Sequence, residues 1–134
     1  MPKKILIVED EPRNLKLFSD LLTRFGYEIF QATDGEMGVE SSRTTKPDLI
    51  LMDIMMPRMD GLEATRIIKA DATTKHIPIV ALTSFAMKGD RERTLEAGCN
   101  AYIAKPVDIQ ELLKAVSGFL GTSQSAVLTA TGGN

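Results

Sequence analysis

Residues 48–61 read DLILMDIMMPRMDG. Four apolar residues in succession, Leu49 to Met52, run straight into the acid Asp53. An unbroken run of this length is expected of a strand buried on both faces of a parallel sheet, whereas alternation would mark a strand with one wet face. Short apolar runs recur at Ile5–Val8, Tyr27–Ala32, Ile77–Leu82 and Ala101–Ala104, and most of the five are continuous. Helical spacing fills the intervals. Leu15, Phe18, Leu22 and Phe25 share one helix face, as do Ile109, Leu112, Leu113, Val116 and Leu120.

The punctuation agrees with this division. Pro12 suits the first turn of helix 1 and Gly26 its end. Asp34-Gly35 and Lys46-Pro47-Asp48 read as turns. Asp108 with Glu111 reads as a capping box at the start of the last helix. The second helix, near Glu36–Thr45, is the least helix-like segment, because Ser41, Ser42, Thr44 and Thr45 are poor helix formers. Strand and helix thus alternate five times. That order predicts an α/β fold, a doubly wound five-stranded parallel sheet with helices on both faces. The domain is expected to span residues 1–121, with 122–134 (TSQSAVLTATGGN) a flexible C-terminal tail.

Composition narrows the function classes. Hydrophobic residues make up 43% and charged residues 25%, and the formal net charge is −2. No basic run is longer than Lys3-Lys4, so nothing predicts a nucleic-acid or membrane-surface footprint. The single cysteine, Cys99, cannot form a disulfide within the chain, which suits a reducing compartment. The apolar stretch Ile5–Val8 is too short for a signal peptide, and no run approaches the roughly 20 apolar residues of a membrane helix. A soluble cytoplasmic protein is expected.

Ligands of open α/β sheets bind at the carboxyl ends of the strands. Strand 1 ends in Glu9-Asp10, strand 3 in Asp53, strand 4 in Thr83 and strand 5 in Lys105. Carboxylates brought together repel, so either some protonate or a cation joins them. Oxygen ligands of this kind suit magnesium, which keeps waters and can hold phosphate oxygens. Lys105 adds a point charge able to pair with phosphate, and Thr83 adds a hydroxyl donor. The set fits phosphoryl transfer, in which catalysis is mainly positioning and charge neutralisation. A carboxylate can itself be the nucleophile, giving an aspartyl phosphate.

Any one of these acids, taken alone, reads as a solvated loop residue. The set at four strand ends, with a lone lysine before Pro106, does not. Elsewhere the plain readings hold. Cys99 reads as a packing residue and His76 as a solvated loop histidine. Met56 and Met59, in the loop after Asp53, read as packing residues. Lys88, Asp90, Arg91, Glu92 and Arg93 open helix 4 either as a solvated face or as part of a docking face, and both readings stay open.

At these residues the chain resembles the receiver domains of two-component response regulators. The matching segments are ILIVED (5–10), DLILMDIMMPRMDG (48–61), IPIVALTS (77–84) and GCNAYIAKP (98–106), and the likeness runs from Lys4 to about Leu120. The resemblance implies the flavodoxin-like strand order 2-1-3-4-5, for which a receiver is itself a standard example. It implies Asp53 as phosphoacceptor, and magnesium (or manganese in its place) held by Glu9, Asp10, Asp53 and the Met55 carbonyl. Thr83 and Lys105 would bind the phosphoryl group, Tyr102 would be the switch aromatic, and the Lys105-Pro106 bond would be cis. It further implies a histidine kinase or histidine phosphotransfer protein as donor. A downstream protein target would dock on the helix 4–strand 5–helix 5 face of a monomer that can dimerise on activation. FAMKGD (85–90) followed by GCNAYIAKP is similar to stand-alone cell-cycle regulators of the DivK type. Rival readings are a phosphohydrolase of haloacid-dehalogenase type, which wants an aspartate where Met55 stands, and a receiver cut from a longer chain.

Overall fold

The unbroken apolar runs form strands because successive side chains feed two different helical layers. In the computed structural model, which describes residues 2–56, 59–84 and 90–121, the strands are β1 (Lys4–Val8), β2 (Glu28–Ala32), β3 (Leu49–Asp53), β4 (Ile79–Thr83) and β5 (Ala101–Ala104). Between them lie α1 (Pro12–Arg24), α2 (Gly35–Thr45), α3 (Gly61–Ala70) and α4 (Asp90–Glu96), and α5 (Ile109–Leu120) follows β5. All pairings are parallel and the order is β2-β1-β3-β4-β5, as expected. The tail expected at 122–134 lies outside the described residues, as do 85–89 of the FAMKGD stretch and Lys88 with them.

One sheet face carries Leu6, Val8, Ile50, Met52, Ile79 and Ala81, packed with Val39 of α2 and with Ala64 and Ile68 of α3. The other carries Ile5, Ile7, Leu51, Val80, Leu82 and Ile103, packed with Phe18 and Leu22 of α1 and with Leu112 and Val116 of α5. Burying each such side chain is worth about 1.5–3 kcal/mol. A polar substitution in β1 or β3 would therefore strike one whole layer. Gly38 lets α2 close on β1, since a Cβ there would meet the Val8 side chain at 2.9 Å.

Two strands start later than their apolar runs. β2 begins at Glu28 because Tyr27 closes α1. Its N–H bonds the Leu22 carbonyl and that of Gly26 bonds Thr23, the paired closure of a Schellman end with Gly26 at φ 95°. β4 begins at Ile79 because the Ile77 N–H turns back to Thr74 and Pro78 has no N–H to give. β2 is also an edge strand whose Ile29 and Phe30 are only half-buried. Asp34-Gly35 is the start of α2 rather than a separate turn, the Asp34 carboxylate accepting the Met37 N–H at 2.8 Å. Ser42, Thr44 and Thr45 of α2 satisfy their hydroxyls on carbonyls of their own helix. Ser42 donates to the Val39 carbonyl at 2.6 Å and Thr45 to Ser41 at 2.7 Å.

Candidate functional site

The alternation that divides the core also gathers the site. Two residues on from Ile7, Leu51 and Ile103, which share the α1/α5 face, come Glu9, Asp53 and Lys105. Asp53 is still inside β3 and pairs with Leu82, so the ladder fixes its backbone. The loop after it is held by glycine. A Cβ on Gly61 would collide with the Asp53 carbonyl and lie 2.8 Å from the Ile54 Cα, while the Gly61 N–H bonds the Ile54 carbonyl at 3.0 Å. Gly35 likewise makes room for the backbone and side chain of Met59.

The Lys105 ammonium stands 3.3 Å from Asp53 Oδ1 and 3.3 Å from Glu9 Oε1. Both carboxylates are buried, at 2% and 0% exposure, so the ion pairs lie largely out of water and one cation is shared between two anions. The peptide N–H of Met55 donates to Asp53 Oδ1 at 3.1 Å, and that of Glu11 to Glu9 Oε2 at 3.1 Å. Glu11 also caps α1, accepting from Arg13 and Asn14 ahead of Pro12 in the first turn. The Lys105-Pro106 bond is cis. The Lys105 N–H bonds the Thr83 carbonyl at 2.7 Å, tying the ends of β4 and β5 together.

Burial, first, and then hydrogen bonding to Glu9 and its charge push the Asp53 carboxyl up to about 6, against the downward pull of Lys105 and the Met55 N–H. Asp10, at the exposed rim, is also raised, by desolvation first and then by its contact with Asp53. One lysine therefore does not fully neutralise the cluster. Among the described residues Glu9, Asp10 and Asp53 form a group with a carboxylate oxygen of each within 4.8 Å of the others. An all-oxygen, strongly anionic set in which Asp10 and Asp53 are held above their usual ionisation range fits a hard divalent ion.

The remaining expected residues take distinct places. Thr83 is buried at the last position of β4, one residue beyond Leu82, the ladder partner of Asp53, and pairs with Ala104 of β5. Tyr102 is half-buried on β5, paired with Ala81. Met55 presents its N–H to the site and leaves half its surface exposed, so it offers no acid where a haloacid-dehalogenase-type phosphohydrolase needs one. Cys99 is buried against Thr65, as a packing residue would be, and its thiol is pushed up, mainly by burial. Sequence reasoning missed Glu11 and Gly61. For Glu11 a signal was available, a polar residue directly before a helix-starting proline, whereas the role of Gly61 lies in its contact with the Asp53 and Ile54 backbone. No helix of the described residues is long and apolar enough to cross a membrane.

Comparison with known proteins agrees with this geometry. Residues 5–117 match the response regulator receiver domain family. The polar-differentiation response regulator DivK of Brucella anthropi is 46% identical over 121 residues, which cover 90% of this chain and 98% of the relative. Among solved structures, the receiver domain of sensor histidine kinase PA1611 from Pseudomonas aeruginosa superposes with a TM-score of 0.83 at 39% identity, covering 91% of this chain and 100% of that one. That structure has a magnesium ion coordinated in its active site cleft. The receiver domain of Saccharomyces cerevisiae Ssk1, crystallised with the histidine phosphotransfer protein Ypd1, superposes with a TM-score of 0.82 at 27% identity, covering 88% of each chain. With the strand order, the acid cluster and the shared lysine in place, this chain belongs to the response regulator receiver domain family.

Proposed function

We propose that the protein is a signalling switch that accepts a phosphoryl group on Asp53 from the phosphohistidine of a histidine kinase or histidine phosphotransfer protein. The observation that carries the reading is the buried Asp53 carboxylate with the Lys105 ammonium 3.3 Å away at the carboxyl edge of the sheet. Glu9, Asp10 and Asp53, with the Met55 carbonyl, are the ligands for magnesium, for which manganese can substitute. Bound there, the ion supplies positive charge against the phosphoryl oxygens. Lys105 pairs with the incoming group, and the Thr83 hydroxyl donates to it once it is on Asp53. A group carrying roughly −1.5 to −2 charge then biases two pre-existing arrangements of the β4–α4 region, with Tyr102 as the aromatic that follows.

The likeness to the magnesium-bound PA1611 domain supports the metal, and the Ypd1–Ssk1 complex supports the donor class. The likeness to DivK supports a role in cell-cycle or polar-differentiation signalling, through a downstream protein that docks on the α4–β5–α5 face. A cytoplasmic monomer that dimerises on activation fits this role. Chemical mapping tests the acceptor. After treatment with acetyl phosphate and magnesium, borohydride reduction should convert residue 53 to homoserine in a peptide mass map. Conversion at another residue, or at none, contradicts the reading.

A further inference from the structure

A groove of about 460 Å³ lies beside Lys105, between α1 and the loop that follows β5, and adjoins the acid cluster. The other edge of the sheet, where the strands begin, is built on bases. One stands ahead of each of four strands: Arg24 at the end of α1 before β2, Lys3 before β1, Lys46 before β3 and Lys75 before β4. These four strands are neighbours in the sheet, and all four bases are exposed. Backbone bonds tie the segments side by side. The Glu28 N–H donates to the Lys3 carbonyl at 2.9 Å, that of Asp48 to Lys4 at 2.8 Å and that of Ile50 to Pro78 at 3.0 Å. Two more ammonium groups are fastened to the same edge. Lys4 donates to the Thr45 carbonyl at 3.4 Å, and Lys69 to the carbonyls of Lys75 and Ile77 at 3.2 and 2.6 Å.

Folding does not pair the four exposed bases. Among the described residues none of them forms an ion pair, whereas Lys16 and Arg43 do. Of the acids nearby, Asp48 accepts the Lys4 N–H and Asp71 takes Arg43, while Glu28 and Glu96 are exposed. A cation at a helix C-terminus offsets the dipole, which accounts for Arg24 but not for Lys3 or Lys75, which stand at no helix end. Lys46 is the sharper case. It closes α2 at φ 51°, the one non-glycine residue with positive φ among the described residues, at a position that favours glycine. A lysine kept in that conformation points to a use for its charge.

We propose that this edge docks reversibly on an anionic lipid bilayer, with Asp53 turned away from the lipid. Bases whose backbones lie one strand apart, in steps of about 4.8 Å, meet a plane of charge along the whole row and converge on no single point. Four steps of about 3.3 Å along β3 separate Leu49 from Asp53, more than the roughly 8 Å over which charge acts at physiological salt. The acid edge therefore does little to repel the lipid, although the chain carries a net charge of −2. The bases are scattered in the sequence, with no run longer than Lys3-Lys4, and only the fold collects them. The docking does not depend on the role of Asp53.

Flotation of the full chain with vesicles of phosphatidylglycerol in phosphatidylcholine, against phosphatidylcholine alone, tests it at low and high salt. Binding should require the anionic lipid and fall as salt rises. Each base near the surface is worth about fivefold in partitioning. Lys46→Gly should thus lower binding about fivefold without lowering Tm, since glycine accepts this φ. Lys3→Gln, Lys46→Gly and Lys75→Gln together should lower it about a hundredfold. Arg13→Gln, the same loss of charge on an exposed residue at the other end of α1, should leave binding unchanged. The proposal is overturned if wild type does not bind the anionic vesicles, or if Arg13→Gln weakens binding as much as Lys46→Gly. It is equally overturned if the loss in Lys46→Gly comes with a fall in Tm, or if duplex DNA binds as tightly as the vesicles.

Discussion

Lys105 holds its ammonium 3.3 Å from Oδ1 of Asp53, and it makes the same approach to Glu9. The site thus contains its own cation, placed where a divalent ion would also act. Replacing it by a neutral chain of similar length separates the two effects. Lys105→Met should destabilise the metal-free protein at pH 7.5 by about 1–3 kcal/mol, since two buried carboxylates lose their shared partner. Magnesium should bind the variant several-fold more tightly and restore most of the loss. Urea unfolding with chelator and with magnesium, together with titration calorimetry, checks both.

The raised ionisation of Asp53 has a definite sign. In the unfolded chain the carboxyl titrates near 3.9, and in the folded chain at about 6. The folded state therefore favours the protonated form. That contribution is fully present below about pH 4 and is lost as pH rises from there through about 6. Asp53→Asn removes the penalty and should be more stable than wild type by about 1–3 kcal/mol at pH 7.5 without metal, the two converging near pH 4. Magnesium should stabilise wild type and leave the variant nearly unchanged. Unfolding curves across this pH range decide the matter.

Gly61 is the most sensitive point of the loop after β3. Gly61→Ala would drive a methyl group into the Asp53 carbonyl and the Ile54 backbone. Backbone lies on the other side of the contact, so the loop must move. A loss of about 2–4 kcal/mol is expected, with weaker magnesium binding, because the Met55 peptide that touches Asp53 moves too. Gly118→Ala, where nothing lies within 4 Å of the added methyl, is the matched control and should be neutral or slightly stabilising.

Much of this architecture could be read from the chain, and the reason is physical. The inner strands announce themselves because a doubly covered sheet needs apolar residues at every position, and the site follows because strand ends converge at one edge. Glu9, Asp53 and Lys105 were legible for that reason. Gly61 and Gly35 were not, since their value lies in the approach of backbone from another segment, which no local pattern records. Nor does the apolar run reveal that Tyr27 is spent on closing α1 before β2 begins. The groove between α1 and the loop after β5 depends on how those two segments lie together, a purely tertiary fact.

Away from the site, Asp71 joins the ends of α2 and α3. Its carboxyl is held at about 2 by the N–H and then the hydroxyl of Thr73, with Arg43 at 3.0 Å adding to both. A depressed ionisation contributes stability above the unfolded value near 3.9 and loses it as pH falls through about 2. Asp71→Asn should therefore lower Tm at pH 7, with the gap narrowing below pH 4. A gap that does not change with pH would mean the carboxylate's charge plays no part.

Transfer of a phosphoryl group to Asp53 with the help of a metal is the proposed chemistry on which every other role at the site depends. Intact mass spectrometry after incubation with acetyl phosphate tests it directly, with magnesium or with chelator, on wild type and Asp53→Asn. Wild type should gain one phosphoryl group with magnesium, and neither the chelated sample nor the variant should gain any. An equal gain in Asp53→Asn, or a gain indifferent to magnesium, would contradict it.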